Sequence, residues 1–342
     1  MCASKAGFIE RPISFGYDFL MRCDNCGQTS PLSGADYLRR NDEAHALMEC
    51  EHCDNAIHFG PLAADIRDRN DPALNDDRLS KLSWYHTSTY SNWPSADFAC
   101  EMRTRLSTSP TRMSTGDIER YVQAQLDKAL HLGTYEAAIE NMYRRMTDQA
   151  DADSTFYLHR VRVDTGPGRV EPGYRHENDD AAAHISVTEL AELGLDAVRY
   201  VNVWEAAGCL SLAVRPRAIT HIQTIPLPGA LAADSSLPSG LLDIIEDLER
   251  RNAQPAASSD RQFRGYKLTL ELEDALIAHF LPGVNPVLAR HFTGAVFLAH
   301  GRVDGDYLGK ARLFATHANL LQHPEQALAR LDAAPSRWHQ PE

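Results

Sequence analysis

Two short motifs near the N-terminus carry the most specific chemistry in the chain: Cys23-Asp-Asn-Cys26 and Cys50-Glu-His-Cys53. Two residues between thiols let the backbone turn so that both sulfurs face one ion, and Gly27, just past the first knuckle, favours that turn. Four thiolates suit tetrahedral zinc in a closed structural site, and the stretch between the knuckles is long enough for a hairpin. A redox function needs only one such pair, so the second argues for metal. The expected ligands of a structural Zn2+ are therefore Cys23, Cys26, Cys50 and Cys53, with His45, His52 and His58 as bystanders. Cys2, Cys100 and Cys209 have no partner in the pattern and read as free thiols.

The elements that must position any further chemistry divide the chain into a zinc ribbon at 10–62, a polar connector at 63–80, an α+β domain at 81–228 and a helical C-terminal region at 238–342. The connector, with Arg67-Asp-Arg-Asn-Asp-Pro72 and Asn75-Asp-Asp77, reads as turns and a surface strap. In the α+β domain, Leu82–Thr87 is rich in β-forming residues and Tyr157–Val163 alternates with period two, which predicts strands. Ala197–Trp204 and Leu210–Val214 read as two more. Gly116–Leu130 and Tyr135–Met146 repeat apolar residues every three or four positions, as amphipathic helices do, and Ser186 opens a short helix that Gly194 stops. Further on, Leu241–Arg251, Glu271–Leu281, Pro286–His291 and Leu308–Leu331 favour helix.

Composition bounds the class. The 342 residues are 43% hydrophobic and 24% charged, as in an ordinary globular protein. Apolar runs such as Gly294–Ala299 fall far short of the roughly 18–20 residues that cross a bilayer, and residues 1–12 contain no apolar stretch of a secretory signal. A cytoplasmic location is the expectation, which again favours metal over disulfides. A net charge of −13, with an acidic ribbon, argues against strong non-specific nucleic-acid binding. No HExxH, no GxGxxG opening a helix, no GxxxxGK[ST] and no GxSxG is present. His176-Glu-Asn-Asp-Asp180 with His184 has ligand-type residues, but its Gly/Pro-rich polar setting reads as solvated surface.

Three segments, taken in order over about 81–225, resemble the ADP-ribosyltransferase superfamily: Trp84-Tyr-His-Thr-Ser88, His131-Leu-Gly-Thr-Tyr-Glu-Ala-Ala138, and Arg199-Tyr-Val-Asn-Val-Trp-Glu205 followed by Ser211–Ile219. The resemblance implies a mixed α+β domain that splits NAD at the nicotinamide–ribose bond, as a transferase or a glycohydrolase. It makes His86 and Thr87 ribose-binding residues, which suits a ring nitrogen beside a hydroxyl. Gly133 would let the backbone approach the nicotinamide ring, with Thr134 capping the helix that follows. The chain departs from the family in having His131 where a Tyr is common, which leaves Tyr135 or Tyr143 to frame the ring beside it. Glu205 is the expected catalytic carboxylate, facing the positive charge that develops on the ribose as nicotinamide leaves; Ser211 occupies its place in another register. An unliganded strand-end His, a simple helix cap and a surface Glu are the plain alternatives for the three segments. The acceptor is open: a protein side chain, a nucleic acid, a small molecule or water. Two other functions remain: a non-enzymatic adaptor whose ribbon and tail bind protein partners, and RNA 2'-phosphotransferase chemistry on the same fold, which would gather Arg160, Arg162, Arg199 and Arg215 around the cleft.

Overall fold

A computed structural model describes residues 8–41, 47–58, 60, 63–95, 97–108, 113–149, 151, 154–178, 180–227, 237–255, 258–299 and 305–338. His45 and Cys2 lie outside them. The chain is mixed α and β, built on two small hairpins and two four-stranded sheets among the described residues.

The hairpins come first. β1 (Phe19–Arg22) pairs antiparallel with β2 (Thr29–Leu32), and β3 (Leu47–Glu49) with β4 (Ala56–His58); α1 (Gly34–Asn41) stands between them in sequence. Each CxxC forms the turn of one hairpin. Their apolar residues Phe19, Met21 and Ile57 are buried in the same cluster as Trp84, Leu132 and Leu212 of the larger sheets. The 63–80 segment was expected as a surface strap, but it buries Ala64, Ile66, Ala73 and Leu79 in that cluster. Its polar residues conceal an alternation, because Asp71 and Asn75 are spent capping short helical turns, among them α2 (Asp76–Leu79).

One sheet has the order β12-β11-β7-β5, all antiparallel, from β5 (Trp84–Ser88), β7 (Phe156–Val163), β11 (Ile219–Leu227) and β12 (Arg337–Trp338). The other has the order β6-β10-β9-β8, from β6 (Leu130–Leu132), β8 (Arg175–His176), β9 (Ala197–Val201) and β10 (Leu210–Val214), with only the β8–β9 pair parallel. Among the described residues, backbone hydrogen bonds join the two sheets at one bridge. Tyr85 and Gly133 exchange both backbone hydrogen bonds at 2.9 Å, so the edge strand β5 meets the end of β6 and the sheets part beyond that point.

α3 (Phe98–Thr108) and α4 (Thr115–Leu126) pack on each other through Met102, Ile118 and Val122. α5 (Tyr135–Asp148) runs behind the seam, with Thr134 accepting from the Ala137 amide as its N-cap. α6 (Val187–Glu192) is the short helix expected after Ser186, whose hydroxyl caps it. The C-terminal helices α7 (Ser239–Asn252), α8 (Ser258–Phe280), α9 (Pro286–Ala299), α10 (Tyr307–Gln322) and α11 (Pro324–Ala333) share one core with α5 and with Phe156, Leu158 and Ile225 of the sheet. The single helix expected over Leu308–Leu331 is two, because Pro324 has no amide to continue α10 and instead starts α11.

Candidate functional site

The four thiols of the ribbon come together. All four sulfurs lie within 4.8 Å of one another, with Cys23 and Cys53 at 3.7 Å and Cys26 and Cys50 at 3.6 Å. These spacings are far beyond a disulfide bond of about 2.05 Å. They match the edge of a tetrahedron with zinc–sulfur bonds of about 2.3 Å, which is roughly 3.8 Å. The cluster could therefore hold a metal ion such as zinc. Both knuckles fold alike: Gly27 N–H returns to the Cys23 carbonyl and Asp54 N–H to that of Cys50, at left-handed residues with φ of 70° and 57°. Amide and hydroxyl donors surround the sulfurs, including His52 N–H on Cys50 at 3.4 Å and Asn55 Nδ2 on Cys53 at 3.5 Å. The Asn55 donors, its backbone amide foremost, lower the Cys53 thiol, whereas Cys26, although the Gln28 amide lowers it, is pushed up by burial and by its three neighbouring thiols. The His52 ring nitrogen Nε2 sits against the Thr29 carbonyl at 3.0 Å and belongs to no ligand cluster among the described residues.

A second site opens where the two sheets part. A cavity of about 80 Å³ is walled by His86 and Thr87 of β5, His131 and Gly133 at the end of β6, Tyr200 and Ser211 of β9 and β10, Asn141 of α5, and Glu205 from the β9–β10 loop. The chain reaches it from strand ends and one helix face, because Ala137, Ala138 and Asn141 recur at the three- and four-residue spacing of α5.

His86 lies parallel to Trp93, with ring centres 4.1 Å apart, and its Nδ1 is 3.0 Å from the His131 carbonyl. A carbonyl only accepts, so Nδ1 carries the proton and Nε2 of the neutral ring is an acceptor. The neutral form holds well into acid, since burial pushes His86 down to about 3. His131 Nδ1 meets the Tyr200 hydroxyl at 2.9 Å, and burial lowers this ring to about 4. Both residues are half-buried and line the cavity.

Glu205 is 5% exposed and receives two donors on one oxygen: Arg144 Nε at 2.6 Å and Asn141 Nδ2 at 3.1 Å, both on Oε1. Oε2 has no hydrogen-bond partner among the described residues, so it keeps its capacity to accept, and Glu205 is one of the residues lining the cavity. Ser211 stands opposite Tyr200 across the β9–β10 pair, and its Oγ is 3.4 Å from Asn202 Nδ2. Gly133 is small for a packing reason: a Cβ there would lie 2.8 Å from Ala137 Cβ and 3.3 Å from Ser211 Oγ. Thr87 lines the cavity but its hydroxyl donates to the Ala138 carbonyl at 2.8 Å.

No family model, curated protein or solved structure matches this chain. The chemistry of the cavity therefore rests on its own side chains.

Of the residues singled out in the sequence, His86, Thr87, His131, Gly133, Glu205 and Ser211 meet in the cavity. Tyr135 and Tyr143 do not, which corrects the expectation that one of them frames a ligand there. They occupy the opposite face of α5, in the helical core, where their hydroxyls donate to the carbonyls of Leu320 at 3.0 Å and His317 at 3.2 Å. The aromatic beside His131 is Tyr200 instead. Sequence reasoning also passed over Asn141, Arg144 and Asn202. Period-two alternation places Tyr200 and Asn202 on one side of β9, and helical spacing places Asn141 and Arg144 on the face of Ala137 and Ala138, so each had a detectable signal. The His176–Asp180 segment, expected as solvated surface, buries both His176 and Glu177, because Glu177 is drawn in to accept the Val203 amide.

Proposed function

We propose that the cavity takes the nicotinamide–ribose end of NAD and that the chain cleaves the bond between them, passing ADP-ribose to an acceptor or to water. The observation that supports this most is the meeting of His86, His131, Gly133, Glu205 and Ser211, far apart in sequence, around one cavity. Cavities that enclose whole cofactors measure several hundred cubic ångströms. At about 80 Å³ this one suits a single ring, with the rest of the dinucleotide lying outside it.

Each side chain has a part in that reaction. Nε2 of neutral His86 accepts a hydrogen bond from a ribose hydroxyl. The free oxygen of Glu205 accepts from a second hydroxyl and faces the positive charge that grows on the ribose carbon and ring oxygen, stabilising the transition state more than the ground state. Arg144 and Asn141 fix that carboxylate beforehand, so little reorganisation is needed at the moment of bond cleavage. The His131 and Tyr200 rings form the wall against which a flat leaving group can rest. Ser211 Oγ supplies a further hydroxyl beside the same ring.

Phosphate transfer on RNA has less support. Arg160 is tied to Glu10 and Asp332, and Arg199 is buried against the Ala73 and Glu171 carbonyls and Asp76, so neither guanidinium serves the cavity. Incubating the purified chain with NAD and measuring free nicotinamide tests the proposal. Release that is lost in Glu205→Gln supports it; absence of both binding and release with every acceptor class favours the adaptor reading.

A further inference from the structure

The β9–β10 loop that carries Glu205 is held by more than its flanking strands. It turns through two left-handed residues, Ala206 at φ 48° and Gly208 at φ 86°. Its four successive amides, from Val203 to Ala206, have no strand partner, and each buried N–H requires an acceptor. Asn202 Oδ1 takes two of them, from Trp204 at 3.0 Å and Glu205 at 2.8 Å. Two carboxylates take the others: Val203 N–H donates to Glu177 Oε2 and Ala206 N–H to Glu140 Oε2, each at 2.7 Å.

Glu140 and Glu177 are themselves 8% and 7% exposed, and among the described residues neither forms an ion pair. They reach the loop from different elements, Glu140 from α5 and Glu177 from the turn after β8, and grip it on either side of Glu205. Glu140 is fixed in turn by the Tyr17 hydroxyl, which lies 3.0 and 3.1 Å from its two oxygens. A buried carboxylate without a direct ion pair is costly; Arg67 attracts Glu140 and Arg144 attracts Glu177 from farther off, and the loop amides that each carboxylate satisfies explain its retention.

We infer that Glu140 and Glu177 are positioning residues, whose side chains clamp the 203–206 backbone and so aim the Glu205 carboxylate into the cavity. The kinetic consequence rests on the NAD-cleaving reading of Glu205; the clamp itself does not. Burial supports the same picture, because it pushes Glu140 up to about 8 and Glu177 up to about 7. At neutral pH each can hold its amide through a carbonyl oxygen without placing a full second charge beside Glu205. Glutamine imitates that neutral form.

Hydrogen exchange without NAD tests the clamp directly. In the native protein the 203–206 amides are expected to be protected like those of β9 and β10, although they belong to a loop; exchange at unprotected rates overturns the inference. In Glu177→Leu and Glu140→Leu these amides exchange at least about tenfold faster while β9 and β10 keep their protection, and kcat falls on the order of 100-fold with KM little changed. Glu177→Gln and Glu140→Gln, which retain a carbonyl acceptor, stay within about tenfold of the native kcat. Equal damage from Gln and Leu, or loss expressed mainly in KM, also overturns it. Should the native chain release no nicotinamide, the NAD reading fails and the exchange pattern alone decides the clamp.

Discussion

Arg144 Nε lies 2.6 Å from Glu205 Oε1, and the pair is unequal: the carboxylate side chain is 7% exposed and the guanidinium 38%. Water screens the cation far more than the anion, so the arginine's part is to hold the acid in place. Arg144→Ala leaves the buried carboxylate short of a partner. The expected loss of stability is about 1–3 kcal/mol, below that of a fully buried pair because Arg144 is partly solvated. Thermal denaturation measures it, and nicotinamide release should fall by on the order of tenfold with little change in KM.

Gly133→Ala tests the seam between the sheets. The added methyl would sit 2.8 Å from Ala137 Cβ, so α5 or the strand end must shift. Overpacking of this kind costs about 1–3 kcal/mol. The melting temperature should drop, and any affinity for NAD should drop further than for an Ala substitution outside the cavity.

The pH dependence of stability combines two opposed groups. Burial pushes His86, His131, His159 and His317 down to about 3, 4, 2 and 4. Unfolded histidines bind protons below about pH 6.5 while these do not, so their contribution is present above that pH and is lost on acidification. Glu140 and Glu177 behave in the other sense: raised to about 8 and about 7, they keep protons that unfolded glutamates release above about pH 4.3. Their contribution is lost as pH rises towards 8. The melting temperature should therefore peak near about pH 6.5 and fall on both sides, and Glu140→Gln should flatten the alkaline fall. A curve that rises steadily to pH 8.5 contradicts this assignment.

About one equivalent of zinc should accompany the purified chain, measured by elemental analysis. Chelation or Cys50→Ser should destabilise more than the ribbon alone, because Met21 and Ile57 share a core with Trp84 and Leu212. The ribbon also borders the site. The Asp65 amide donates to the Leu20 carbonyl at 2.8 Å, and Arg67, two residues on, donates to Ala206 and Gly208 of the Glu205 loop at 3.0 and 2.9 Å. Metal loss should therefore raise hydrogen exchange in that loop as well as in the ribbon.

Much of this geometry was legible in the sequence where a local rule governs it. The knuckles follow from two-residue spacing, the Thr134 cap from its hydroxyl, and β7 and β10 from alternation and branching. What escaped depended on distant partners. β11 runs through Pro226, a residue that argues against a strand; it is accommodated because β12 pairs only with His221 and Ile222, so that among the described residues the Pro226 end of β11 has no paired strand on that side. Glu177 sits in a polar run and reads as surface until the Val203 amide, 26 residues away, draws it inside. Tyr135 and Tyr143 follow a plausible cavity motif, yet α7–α11 supply a core on that face of α5, and no pattern within the motif announces them.

The most direct test of the central claim is to soak NAD into crystals of Glu205→Gln, in which turnover should be slowed enough to trap the substrate. The nicotinamide–ribose end should appear between His86, Tyr200 and residue 205, with a ribose hydroxyl within hydrogen-bond distance of His86 Nε2. Density for the dinucleotide on another surface, or an empty cavity at saturating NAD, contradicts the assignment of this seam as the catalytic site.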